Sequence, residues 1–128
     1  MDKRMLVVPV VMVGGLTAAV HSSDAKAPRA ESKVTIRADG VNLSGKVVSP
    51  RPGRCADERK VIVFRQRGAR GGGNDERFAT DTAGLNGDVY EWSTGDTGTE
   101  GRFYAKVKRT PKCKADTSRT IRAQRPPD

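Results

Sequence analysis

The chain has 128 residues, 35% of them hydrophobic and 5% aromatic, with a formal charge of +9 from 24 basic and 15 acidic side chains. That length suits one small domain and excludes a multidomain enzyme. A single histidine, His21, and two cysteines exclude a histidine-based triad in the body of the chain and a cysteine–histidine metal site.

Met1-Asp2-Lys3-Arg4 is a short cationic start, and Met5 to Val20 is uncharged and mostly apolar. Small and polar residues follow, from His21 to Ala27. This is the order of a secretory signal peptide. The apolar run of 16 residues falls short of the ~20 that span a bilayer, and Pro9 with Gly14-Gly15 weakens it further as a membrane helix. The reading is a leader over residues 1–27, with cleavage after Ala19, Ser22 or Ala27 left open. One domain with flexible ends follows over residues 28–128. The expected location is extracellular or at the cell surface, with no stable membrane span after cleavage.

Beyond the leader, apolar and polar residues alternate with period two. Val34, Ile36 and Ala38 define a first strand, and Val41, Leu43, Gly45 and Val47 a second. Val61-Ile62-Val63-Phe64 is apolar on both faces, which suits a central strand or one beneath a loop. Weaker strands are expected over Arg77 to Asp81, Asp88 to Trp92 and Arg119 to Ala123. Phe103, Ala105 and Val107 mark a clear one. Asp39-Gly40 and Asn86-Gly87 signal tight turns. About seven short strands with frequent turns predict an all-β sandwich with Trp92 and Phe103 at its centre and Tyr104 facing outward.

The two cysteines occupy matching segments. Lys46-Val47 leads through Ser49-Pro50-Arg51-Pro52-Gly53-Arg54 to Cys55, then Asp57, Arg59 and Val61. Lys106-Val107 leads through Arg109-Thr110-Pro111-Lys112 to Cys113, then Asp116, Arg119 and Ile121. The expectation is one unit used twice: strand end, rigid basic loop, cysteine, polar turn, new strand. A Cys55–Cys113 disulfide would close a loop of roughly 58 residues and contribute about 4 kcal/mol. Two free thiols are the rival reading, and export favours the disulfide.

Charge is placed unevenly. Residues 23–74 balance at +7, residues 75–100 at −6, and residues 101–128 at +7. Basic residues near the bridge, Arg51, Arg54, Arg109, Lys112 and Lys114, form a candidate anion-binding patch. Phe64, Arg65, Tyr104 and Lys106 form a candidate contact surface if the two aromatics are exposed. The Arg67-Gly68-Ala69-Arg70-Gly71-Gly72-Gly73 run reads as a mobile loop. Asp81, Asn86, Asp88, Asp96 and Glu100 are oxygen donors among glycines, but their spacing misses the calcium-loop pattern and fits turn chemistry. No catalytic residue, metal or cofactor is assigned.

Thr80-Asp81-Thr82-Ala83-Gly84, Trp92 and Gly101-Arg102-Phe103-Tyr104-Ala105-Lys106-Val107 together follow a T-D-x-x-G, aromatic, G-x-[FY]-[YF]-A-x-V order. With Ser44-Gly45-Lys46-Val47 and the two cysteines, the chain resembles transthyretin-like, or carboxypeptidase-regulatory-like, β-sandwich modules of secreted actinobacterial type. The resemblance covers roughly residues 33–123. It implies an Ig-like or prealbumin-like sandwich of accessory or adhesive role and brings no catalytic residues with it. The glycine-rich stretch Arg70 to Asn74 departs from it. Two functions are expected: a non-catalytic module that binds anionic envelope material or a protein, or an enzyme inhibitor or effector presenting the 65–75 loop. Export argues against nucleic acid as the partner, and oligomeric state is left open.

Overall fold

Period-two alternation resolves into two antiparallel sheets packed face to face. The computed structural model describes residues 28–127, and the leader reading lies outside them. The chain runs through β1 (Lys33–Val34), β2 (Arg37–Asp39), β3 (Asn42–Val48), one helical turn α1 (Pro52–Cys55) and β4 (Lys60–Arg65). It continues through β5 (Glu76–Thr82), β6 (Gly84–Asn86), β7 (Val89–Asp96), β8 (Gly101–Val107), β9 (Asp116–Thr117) and β10 (Ile121–Ala123). One sheet is ordered β1-β3-β7-β6, with β2 also on β3. The other is ordered β10-β8-β4-β5, with β9 also on β8. The all-β sandwich with its disulfide is as expected.

Each inner face supplies the core. Leu43, Val47 and Trp92 come from the first sheet, and Val61, Val63, Phe103 and Val107 from the second, all essentially inaccessible to solvent. Phe78 packs edge-on to Phe103, with ring centroids 4.9 Å apart. The Trp92 indole N–H donates to the Thr35 carbonyl at 3.0 Å, so the largest core side chain keeps no unpaired polar atom. Ala83, fully buried, is the corner at which the chain leaves β5 in one sheet and enters β6 in the other.

Where the elements differ from expectation, local hydrogen bonding is the reason. The first strand is split in two at Thr35. Its N–H donates to the Lys46 carbonyl and its hydroxyl accepts the Lys46 N–H, each at 3.0 Å. The hydroxyl replaces a backbone acceptor, so the chain leaves the ladder and Ile36 enters the core. A Cβ on Gly45 would lie 1.9 Å from the Thr35 carbonyl oxygen, and glycine alone permits that approach. In both two-residue turns glycine is the first central residue, with φ of 63° at Gly40 and 68° at Gly87, the II′ pattern. Asp39 and Asn86 instead close the strands. The short β6 and β9 carry no alternation long enough to read.

Candidate functional site

The disulfide end of the sandwich gathers the most chemistry. Pro52 opens α1, where its missing N–H is unneeded, and Cys55 closes it. The Cys55–Cys113 bridge has a Cα separation of 5.6 Å, and both cysteines are buried. The Thr110 hydroxyl accepts the Cys113 N–H at 3.0 Å and fixes the second loop. Ala30 runs parallel alongside Cys113: its N–H donates to the Lys112 carbonyl at 2.9 Å, and its carbonyl accepts the Lys114 N–H at 2.8 Å. Arg29 adds a bond from Nε to the Thr110 carbonyl at 2.9 Å.

Beneath this bridge lies a buried cation. Arg59 is 6% exposed. Its Nη1 donates to Ser32 Oγ at 2.8 Å and the Cys55 carbonyl at 2.9 Å. Its Nη2 donates to the Lys108 carbonyl at 2.7 Å and the Lys114 carbonyl at 2.9 Å. The guanidinium fork thus joins both cysteine segments and the N-terminal segment through neutral acceptors alone. Burial pushes its pKa below the ordinary value, yet an arginine there stays cationic at neutral pH. Sequence reading placed Arg59 only as a marker of the repeat. The available signal was its place between the cysteine and an apolar strand, and its counterpart Arg119 shares that place while being exposed.

A cleft of about 560 Å³ opens over Arg59, lined by Arg54, Lys60, Lys108 and Lys112 with Ile62, Pro111 and the bridge, and by Asp57 and Glu58. Glu58 has a left-handed φ of 56°, held where its N–H donates to the Ala83 carbonyl at 2.9 Å. Of the candidate patch, Arg54 and Lys112 meet in this cleft, joined by Lys60 and Lys108, which sequence reading left out. Arg51 and Arg109 are exposed outside the lining, and Lys114 is an ion-pair partner of Glu31 at 2.5 Å.

The candidate contact surface is not an open one. Tyr104 points off the core face, as alternation requires, but it is only 4% exposed. It stacks on the half-buried Phe64 with ring centroids 5.4 Å apart. The 65–75 loop is fastened to Tyr104. Tyr104 donates to Asp75 Oδ2 at 2.5 Å, and the same carboxylate accepts the N–H groups of Gly71 at 2.8 Å and Arg67 at 3.0 Å. Arg70 donates to the Ser118 carbonyl at 2.6 Å, and Arg67 pairs with Glu76 at 2.8 Å. Arg65 turns to the Glu100 carbonyl at 3.3 Å, and Lys106 is half-buried. The condition set for that surface, an exposed aromatic pair, is not met at Tyr104, because a carboxylate organises the loop above it. The segment is a cover, not a free hairpin tip.

Electrostatics follow this geometry. The Tyr104 and backbone donors hold the Asp75 carboxyl below the usual carboxylate range, and the Arg67 guanidinium does the same for Glu76. Burial, aided by the Asp75 carboxylate, pushes the Tyr104 phenol up to about 12. Other acidic residues serve the backbone likewise. Asp81 accepts the Ser93 N–H at 2.7 Å, Asp96 the Gly98 N–H at 3.0 Å and Glu100 the Arg125 N–H at 2.8 Å. A second groove of about 700 Å³ runs beside Trp92 and Gly45, lined by charges of both signs, including Arg37, Lys46, Asp81 and Glu91. Comparison with protein-family models finds no match, and comparison with curated proteins finds no similar chain.

Proposed function

We propose that this is a secreted, non-catalytic sandwich module of transthyretin-like kind that uses its disulfide end to bind anionic cell-envelope material. The observation that supports this reading is the convergence of Arg54, Lys60, Lys108 and Lys112 on one cleft above the buried Arg59. Four exposed cations on fixed backbone concentrate positive potential where a polymer of phosphate or carboxylate groups can enter. Asp57 and Glu58 on the same rim set an orientation, because an anionic chain must pass on the lysine side. Binding of this kind is electrostatic and therefore screened by salt. The purified oxidised protein should be retained on its own envelope fraction at low salt and elute as salt rises. Retention that is indifferent to salt, or absent, would remove the proposal.

One observation favours the inhibitor reading. The Asp75 carboxylate pre-orders the 65–75 loop, which lowers the entropy lost when such a loop binds a target. Against it, the Arg67 and Arg70 side chains are already engaged by Glu76 and the Ser118 carbonyl within the domain. Inhibition of a protease or amylase that persists at high salt would favour this second reading over the first.

A further inference from the structure

We infer that the disulfide end is a docking face for bilayers that carry anionic lipid. This rests on the cationic-end reading above and commits it to lipid head groups. The end is made of residues 28–32, 49–60, 87–88 and 108–115, which hold nine basic and four acidic side chains, a balance of +5. Apart from Arg59, every one of those basic residues is exposed, and one of the acids, Glu31, is paired with Lys114. The opposite end, made of residues 39–41, 66–75, 96–100 and 124–127, holds three basic and four acidic side chains, a balance of −1. The molecule is electrically polar along its strands.

The second observation is where the chain enters the domain. Ala30 is bonded to Lys112 and Lys114, Arg29 to Thr110, and Ser32 to Arg59. Residues 28–32 are therefore fastened to the disulfide end, and residues 1–27 join the domain there. Residues 21–27 separate Pro28 from the apolar run Met5–Val20. A seven-residue spacer reaches at most about 25 Å when fully extended. Were the apolar run held in a bilayer, as the leader reading expects, a tether of that length would bring the cationic end to the membrane surface.

Charge and connection thus select the same face. Anionic head groups attract exposed lysine and arginine within a Debye length. The cleft over Arg59 gives a head-group phosphate room among Arg54, Lys60, Lys108 and Lys112. After removal of the leader, the same face would hold the domain loosely and reversibly at the surface.

The test is co-sedimentation of the oxidised full chain with vesicles of phosphatidylcholine alone or mixed with phosphatidylglycerol. The variant Arg54→Glu/Lys108→Glu/Lys112→Glu is compared with Arg37→Glu/Arg77→Glu/Arg122→Glu, which changes net charge equally elsewhere on the surface. Any apolar contribution of residues 5–20 is common to all of them, and unfolding midpoints confirm that each variant folds. The wild type should prefer the anionic vesicles by about tenfold or more at low salt. The first variant should lose that preference, and the second should keep most of it. Equal loss in both, or no preference in the wild type, overturns the proposal. If the wild type ignores vesicles but binds soluble poly(glycerol phosphate), and the first variant does not, the lipid assignment falls while the cationic-end reading stands. Binding to neither removes both.

Discussion

The two cysteine segments match in sequence and diverge in structure. The first leaves β3, makes the α1 turn and crosses to the other sheet as β4. The second leaves β8 and folds back on the same strand as β9. Arg59 and Arg119 occupy matching places, yet one is buried under four acceptors and the other is exposed. Asp57 and Asp116 differ in the opposite sense: Asp57 is exposed on the cleft, and Asp116 accepts the Val34 N–H at 2.8 Å. Similar residue strings report similar loop chemistry, whereas the route between sheets decides which arginine becomes the clasp.

The largest way to test this contrast is to remove the bridge. Replacing Cys55 and Cys113 by alanine should lower unfolding free energy by about 2–5 kcal/mol in denaturant titration. A loss under about 1 kcal/mol would mean that the bridge adds little to a frame already held by Arg59.

Arg59→Met should follow, at about 3 kcal/mol, because it strands the Ser32 hydroxyl and the carbonyls of Cys55, Lys108 and Lys114. Arg59→Lys should recover little of it, since an ammonium lacks the planar fork that spans those acceptors. Arg119→Met should change stability by no more than about 0.5 kcal/mol. Similar losses at the two positions would mean that the repeat is a functional equivalence after all.

How much of this was legible is clearest at particular residues. Trp92 and Phe103 were recoverable as core because alternation fixes the face of a side chain. The cysteine pairing was recoverable because a small domain with two cysteines has one intramolecular pairing open to it. Tyr104 shows the limit: alternation gave its direction but not the loop that returns over it. Arg59 shows another, because burying a guanidinium depends on carbonyls from Lys108 and Lys114, about fifty residues away. The split at Thr35 needed a hydroxyl to replace a ladder acceptor, which no hydropathy pattern records.

A smaller effect separates the two ends by pH. The disulfide end is clasped by Arg59 on neutral acceptors, whereas the 65–75 loop hangs on Asp75 and Tyr104, which titrate. Because the folded Asp75 pKa is lowered, its contribution is present at neutral pH and is lost as pH falls through that lowered value. Because the Tyr104 pKa is raised from 10.0 to about 12, its contribution is full below pH 10.0 and is lost as pH rises through about 12. Amide exchange in residues 66–75 should quicken relative to residues 110–114 in the acid window, after correction for intrinsic rates. Parallel behaviour of the two segments would deny the loop its carboxylate hinge. Asp75→Asn should remove the acid-side change and leave the bridge untouched.

The proposal that the disulfide end is the binding end can be tested on the envelope itself. The measurement is salt-dependent retention on the envelope fraction for Arg54→Glu/Lys112→Glu beside Arg37→Glu/Arg122→Glu, with equal change in net charge. The first pair should abolish low-salt retention and the second should leave most of it. Equal retention by the two pairs would contradict the proposal.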